Sequence, residues 1–255
     1  TDKEAYAAVS GSTLTFYYDN QRAKRSGHPI TNSTSSDPAW PSRNIKKVVF
    51  DDSFKNYSPT STYHWFAGMS ALERVEKTEN LRSAKVLNMV GMFEGCTALT
   101  ELDLSTLIVS SNCDVSEMFK NSETLKIIYS DKAWTPKRSD NMFKGCEKLV
   151  GVVAYDANKT SSRMATPYEG YVTPKRPTEA YVMKSENKGV LTFYYDAFKG
   201  CRKGTTYGIN DTYRKYGWDY PAWVNTDGDT FARSVVIDAS MKDFRPKSME
   251  MWFYN

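Results

Sequence analysis

The sequence predicts an α+β repeat protein, a leucine-rich-repeat solenoid whose short parallel ladder carries short helices and is flanked by small β-rich hairpin segments. Two observations predict this class. One register occurs four times at steps of 27, 26 and 24 residues: an aromatic residue, a leucine six residues later and an aliphatic residue three further on. Solenoids of this class have repeats of about 20 to 29 residues. In addition, the N-terminal sequence returns near residue 179. The four registered copies are Phe66/Leu72/Val75, Phe93/Leu99/Leu102, Phe119/Leu125/Ile128 and Phe143/Leu149/Val152.

Residues 1–44 are predicted to be a β-rich N-terminal segment. Two strand-like runs, residues 4–9 and 14–19, surround a Ser-Gly-Ser-Thr turn, and the second places Leu14, Phe16 and Tyr18 on one face. Alternation of this kind on both sides of a short turn favours a β-hairpin. The polar stretch from residue 20 to residue 38 is then a long loop.

Residues 45–173 are predicted to form the ladder. Met89 and Phe93 lie four residues apart, which places them on one face of a short helix. Leu102 and Leu104 alternate with polar neighbours, which is the period of a strand. Because one such unit cannot bury its own apolar face, the copies are expected to stack. The resulting parallel ladder is expected to pass through Val75, Leu102, Ile128 and Val152.

Residues 174–255 are predicted to be a second, partial copy of the N-terminal module. The sequence of residues 14–19 returns intact at 191–196, Pro-Ala-Trp at 38–40 returns at 221–223, and Trp65-Phe66 returns as Trp252-Phe253. The second copy ends where the first enters its ladder. We therefore expect a chain cut within a longer array, or a natural stop at which the partial copy serves as a cap.

The cysteines favour structure over chemistry. Cys96 and Cys146 occupy the same repeat position, three residues after the aromatic residue, where the other copies have Met69 and Ser122. A metal or catalytic position would not vary among these residue types, so the position is interpreted as a compact buried packing site. Strands two steps apart in a parallel stack are also too distant for a disulfide. We expect thiols.

The candidate binding residues are of two kinds. Strand residues that point away from the core would form a recognition strip: Glu101, Asp103, Lys126 and Tyr129. Trp134 and Trp218 have no counterpart in the other copy, so these two are expected to be exposed and available to a protein or a sugar ring. Polar residues on the strip are equally what a solvated sheet face requires.

Composition excludes several classes of function. With 34 basic and 30 acidic side chains the formal charge is only +4, and no basic run has interleaved aromatic residues, so nucleic acid is not an expected partner. No apolar run has the length of a membrane helix, and none has the shape of a signal peptide. No catalytic motif stands out, and Asp227-Gly228-Asp229 is better read as a tight turn than as a calcium loop. We expect no enzyme, cofactor or metal site.

Several blocks resemble one family. Met-Phe-x-Gly-Cys-x-x-Leu at 92–99 and 142–149, Leu-Asp-Leu-Ser at 102–105 and Gly-Tyr-Val-Thr at 170–173 are similar to the BspA-like leucine-rich repeat surface proteins of oral and gut anaerobic bacteria. Ser122 departs from the usual cysteine of one repeat. The resemblance implies a non-enzymatic, secreted or cell-surface protein whose targeting segment is absent from this chain, and protein–protein adhesion, for example to host matrix proteins. The alternatives are a glycan-binding module and a spacer without a specific ligand.

Overall fold

The computed structural model describes residues 2–186, 189–224, 232–249 and 252–253. It divides the chain into two compact units, Thr1–Pro174 and Lys175–Asn255. The described strands of the first unit are β1 (Glu4–Ser10), β2 (Thr13–Asp19), β3 (His28–Pro29), β4 (Lys47–Phe50), β5 (Arg74–Glu76), β6 (Glu101–Asp103), β7 (Ile127–Tyr129) and β8 (Val172–Thr173). Its 3₁₀ turns are Asp52–Asn56, Thr78–Asn80, Ser83–Lys85 and Ser162–Met164.

The second unit contains six described strands and one described 3₁₀ turn. The strands are β9 (Glu179–Lys184), β10 (Val190–Asp196), β11 (Thr205–Gly208), β12 (Thr212–Lys215), β13 (Trp218–Pro221) and β14 (Ser234–Ile237), and the turn is Ala239–Asp243.

The first unit begins with a five-stranded sheet in the order β3-β1-β2-β4-β5. β1 and β2 form the predicted antiparallel hairpin, in register from Glu4 opposite Asp19 to Ser10 opposite Thr13. Gly11 has a φ of 58°, which glycine adopts at little cost in a tight turn. β2 then pairs with β4, and β4 with β5, in parallel. The hairpin prediction is confirmed, and the hairpin belongs to the same sheet as the strands that follow it.

The core of the first unit is a column of phenylalanine rings. Successive ring centroids of Phe66, Phe93, Phe119 and Phe143 lie 5.1, 5.8 and 5.6 Å apart. The four leucines that follow them by six residues are buried as well. Each ring therefore removes the apolar surface of its neighbour from water, which stabilises the stack as a whole rather than any single copy.

The predicted fold class is wrong. Strands hold 27% of the residues and helical turns only 8%, no described helix reaches seven residues, and several small sheets stand in place of a closed solenoid. The chain is a mostly-β protein rather than an α+β leucine-rich-repeat solenoid.

The hydrogen bonds of the turns explain the missing helices. The amides of Met89, Gly91 and Phe93 donate to carbonyls 25 residues ahead, at distances of 2.8 to 3.0 Å. Amides used between copies are not available for the i to i−4 bonds of an α-helix. Gly91 and Gly95 also have φ values of 58° and 69°, which interrupts a helical turn every four residues. The apolar pair at 89 and 93 faces the core without a helix.

The predicted single ladder is wrong in two places. β6, β7 and β8 form a separate parallel sheet, in which Leu102 lies opposite Ile128 and Ile128 opposite Val172. Val172 therefore takes the place predicted for Val152. The chain reverses there: Val150 forms an antiparallel bridge with Ala154, and Gly151 lies so close to the carbonyl oxygen of Gly170 that a Cβ would not fit.

The second unit repeats the start of the first. β9 and β10 form the same hairpin as β1 and β2, and β10 pairs in parallel with β14 as β2 does with β4. The indole nitrogen Nε1 of Trp40 donates to the carbonyl of Trp65 at 2.8 Å, and that of Trp223 to the carbonyl of Trp252 at 3.2 Å. The recurring tryptophans maintain the fold, as predicted.

The cysteine interpretation is confirmed for Cys96 and Cys146. Both are buried thiols outside any disulfide, and burial raises the pKa of each to about 12. Cys113 and Cys201 are buried too, so the structure buries all four cysteines, whereas the sequence predicted burial only for Cys96 and Cys146.

Candidate functional site

The structure places the predicted recognition strip on β6 and β7. Glu101 lies at the start of β6 and is exposed, Asp103 lies opposite Tyr129, and Lys126 is exposed directly before β7. The amide of Lys126 donates to the carbonyl of Thr100 at 2.8 Å, which holds it beside the first strand. Four of the six predicted residues are therefore brought together on one pair of strands.

Asp103 has a structural task within this strip. Its carboxylate accepts hydrogen bonds from the backbone amide of Ser105 at 3.0 Å and from the Ser105 hydroxyl at 2.6 Å. This is the geometry in which an aspartate closes the turn that follows it. A ligand would have to compete with those bonds, so Glu101 and Lys126 are the better-placed charges.

Trp134 is not exposed, contrary to prediction. Only 4% of the residue is accessible, and its ring stacks on Phe119 with centroids 6.4 Å apart. The Trp134 ring packs beside the column of phenylalanines. Its lack of a counterpart in the other copy therefore reflects local packing rather than exposure. Among described residues, its Nε1 has no hydrogen-bond partner. Trp134 is removed from the candidate site.

Trp218 is exposed as predicted, with 62% of the residue accessible. It is the first residue of β13, which pairs with β12 in a two-stranded antiparallel sheet. Because side chains alternate along a strand, Trp218 shares one face of this hairpin with Lys215, Tyr213 and Tyr220. The Tyr213 and Tyr220 rings stack at 5.5 Å, and burial raises the pKa of Tyr213.

The hairpin turn presents a second large aromatic residue. Tyr216 and Gly217 are the two turn residues, with φ values of 54° and 86°, and a turn with two positive values matches the twist of antiparallel strands. Tyr216 is 83% exposed. On the opposite face, Arg214 contacts the Asp219 carboxylate at 3.2 Å across the strands. A surface ion pair of this kind contributes little alone but fixes the register.

The hairpin stands where the second copy is longer than the first. Phe16 and Phe193 are 177 residues apart, whereas Pro38 and Pro221 are 183 apart, so six residues are added between these landmarks. In the first copy, the part of this interval that follows β2 contains one strand, the two-residue β3. The growing offset was visible in the sequence, and it marked the insertion, but it did not show that the added residues form a hairpin with an aromatic face. We call β12, β13 and their turn the aromatic hairpin.

The described ranges show neither a metal cluster nor a membrane span. They contain no group of three or more histidine, cysteine, aspartate or glutamate side chains arranged to hold a metal ion. No helix in them has the length and apolarity that crossing a bilayer requires. The Asp227-Gly228-Asp229 segment lies outside the described residues.

Comparison with protein-family models, with characterised proteins and with solved structures finds no match for this chain.

Proposed function

We propose that the protein is a non-enzymatic adhesion protein that binds a partner protein through the aromatic hairpin. The observation that carries the proposal is the exposure of Trp218 and Tyr216 on a hairpin that only the second copy possesses. Exposed tryptophan and tyrosine are the residues that most often dominate the free energy of protein association. A scaffold kept in both copies with an aromatic insertion in one is the arrangement expected when binding has been added to a stable framework.

The resemblance to BspA-like surface proteins supports the same proposal from the sequence. It implies a cell-surface or secreted protein, and it makes host matrix proteins or bacterial surface proteins the first partners to test. Glu101 and Lys126 on the first unit provide a second, polar surface for such a partner.

Glycan binding is the second candidate, and one observation favours it. The exposed Trp218 ring is a platform of the kind on which a sugar ring stacks. The hairpin presents this ring beside Lys215 on an open strand face. In addition to a stacking ring, sugar recognition needs polar groups that converge on the hydroxyls of the sugar. We therefore rank protein binding first.

The test is a binding screen of the whole chain against purified matrix proteins and a glycan array, at low and high salt. We expect saturable binding to at least one matrix protein and, in Trp218→Ala, at least a tenfold loss of affinity with an unchanged melting temperature. Tyr168→Ala is the matched control, because Tyr168 is also an exposed aromatic residue, 52% accessible, but lies on the first unit. Equal binding by wild type and Trp218→Ala would contradict the proposal, and binding only to glycans would favour the second candidate.

A further inference from the structure

The second unit contains an open cleft of about 570 Å³. It lies among β9, the loop before β12 and the segment after the 3₁₀ turn Ala239–Asp243. Its apolar lining includes Ile209, Phe244 and Trp252, and its charged lining includes Lys199, Arg245 and Lys247. Volumes of this size accommodate a short peptide segment or a ligand of similar dimensions.

In the first copy, Asn32 links the loop after β3 to the segment that follows the 3₁₀ turn Asp52–Asn56. The Asn32 side-chain amide donates to the Tyr57 hydroxyl at 2.6 Å, and its carbonyl oxygen accepts from the Thr60 amide at 2.9 Å. The second copy has Phe244 at the position of Tyr57, at the same offset that relates Pro59 to Pro246. Phenylalanine has no hydroxyl, so this anchor for the loop is absent from the second copy, where the chain instead continues into the aromatic hairpin.

The charge of this region also differs between the two copies. At the same offset, Ser58 and Thr60 of the first copy become Arg245 and Lys247. Both are exposed, which leaves their charged groups at the rim of the cleft. The third lining cation, Lys199, is already paired with Glu179 at 3.0 Å.

The lining also includes two acidic residues: Glu179, which is paired with Lys199, and Asp211, whose carboxylate accepts a hydrogen bond from the amide of Gly208 at the end of β11. The guanidinium of Arg245 donates to the carbonyls of Lys242 and Phe244 at 2.6 and 3.0 Å, which fixes its position beside the cleft. Arg245 and Lys247 are thus the cations that the second copy gains, beside an apolar floor.

We infer that this cleft binds an acidic peptide segment that inserts an apolar side chain between Ile209 and Phe244 and places its carboxylates near Arg245 and Lys247. The inference rests on the proposed function, since it supplies the chemistry of the partner protein. The cations Arg245 and Lys247 favour a ligand with negative charge, and the apolar lining favours a ligand with an apolar side chain to insert.

The experiment uses a dye-labelled Glu-Glu-Leu-Glu-Glu peptide with blocked termini, and the whole chain, in fluorescence anisotropy at low salt. We expect saturable binding that weakens as salt is added, and at least tenfold weaker binding of Gln-Gln-Leu-Gln-Gln. The double variant Arg245→Glu/Lys247→Glu should lose at least tenfold in affinity, with Arg245→Met/Lys247→Met between it and the wild type. The matched control is Ser58→Glu/Thr60→Glu, which adds the same acidic side chains to the first copy and should bind as the wild type does.

Absence of binding, equal binding of the neutral peptide, or an unchanged affinity in the charge-reversal variant would overturn the inference. Circular dichroism of each variant separates loss of the site from loss of folding. Trp218→Ala distinguishes the two proposals: it should weaken binding to the matrix protein while leaving peptide binding unchanged, so failure of the one can be told from failure of the other.

Discussion

The residue three positions after each stacked phenylalanine shows how one place accepts different side chains. The thiols of Cys96 and Cys146 donate to the carbonyls of Phe66 and Phe119 at 3.3 and 2.9 Å. Ser122 in the intermediate copy donates to the carbonyl of Phe93 at 2.7 Å. In the three later copies this position holds a small donor that reaches the preceding copy, which explains why cysteine and serine interchange there, whereas Met69 of the first copy is not such a donor. The sequence indicated the compact size and burial but not the hydrogen bond.

This account predicts different outcomes for two substitutions at Cys146. Cys146→Ser keeps a donor of similar size and should change the free energy of unfolding by less than Cys146→Ala, which removes a hydrogen bond contributing about 1 kcal/mol. Urea denaturation measures both, with Ser122→Ala as the matched loss in the neighbouring copy. If serine and alanine at 146 are equally destabilising, the donated bond contributes nothing.

A cluster of hydrogen-bonded side chains around Asp19 makes the stability of the first unit sensitive to acid. Burial alone would raise the pKa of Asp19, but hydrogen bonds from Tyr6 at 2.6 Å and Arg25 at 2.7 Å outweigh it and lower the pKa below its ordinary value near 3.8. A carboxyl with a lowered pKa in the folded state stabilises that state above the ordinary value. The contribution is lost as the pH falls through the lowered value.

Tyr6→Phe should therefore raise the pKa of Asp19 towards its ordinary value, because one of the donors that stabilise the carboxylate is removed. NMR titration of the Asp19 carboxyl group measures the change directly. Tyr181→Phe, the same substitution in the second copy, should leave the Asp19 titration unaltered. A pKa of Asp19 that stays constant in Tyr6→Phe would show that Arg25 and the backbone set it without Tyr6.

At the scale of the element, the aromatic hairpin combines an unfavourable backbone with exposed side chains. A tyrosine at φ 54° costs free energy that asparagine or glycine at the same place would largely avoid. Tyr216 therefore occupies a position where stability favours another residue, and an exposed aromatic residue there is easier to explain by binding than by folding.

Tyr216→Asn should stabilise the hairpin by about 1 kcal/mol while weakening binding of the partner. Hydrogen exchange of the β12 and β13 amides reports the first effect, and the affinity for the matrix protein reports the second. Gly217→Ala is the opposing control, since its φ of 86° disfavours alanine and should increase exchange. Faster exchange in Tyr216→Asn would contradict the turn assignment.

The elements differ in how far their sequence determines them. The β1–β2 hairpin and the phenylalanine column were predictable because both follow from spacing along the chain. The helices were predicted wrongly because the amides of Met89, Gly91 and Phe93 bond to a neighbouring copy, and local periodicity does not show that competition. The same limit applies to the site, where lack of recurrence identified Trp218 as exposed and failed for Trp134, which packs on Phe119.

At the scale of the whole molecule, the chain repeats the opening part of one module and varies it in the second copy. The aromatic cluster around Phe16 and its counterpart around Phe193 share their contacts with two tryptophans, including the stacks on Trp65 and Trp252 with centroids 4.8 and 5.2 Å apart. The second copy departs from the first at the hairpin and at the cleft beside it. Features shared by both copies serve folding, whereas these departures are the places at which we expect specific binding.

The measurement that tests this claim most directly exchanges the insertion for its counterpart. Residues 211–220 are replaced by the sequence of residues 32–37, and binding of both chains to the panel of matrix proteins is compared. Hydrogen exchange of β9 and β10 checks that the second unit stays folded. We expect the wild type to bind at least one protein saturably and the exchanged chain to lose at least tenfold in affinity. Equal binding by the two chains would contradict the account.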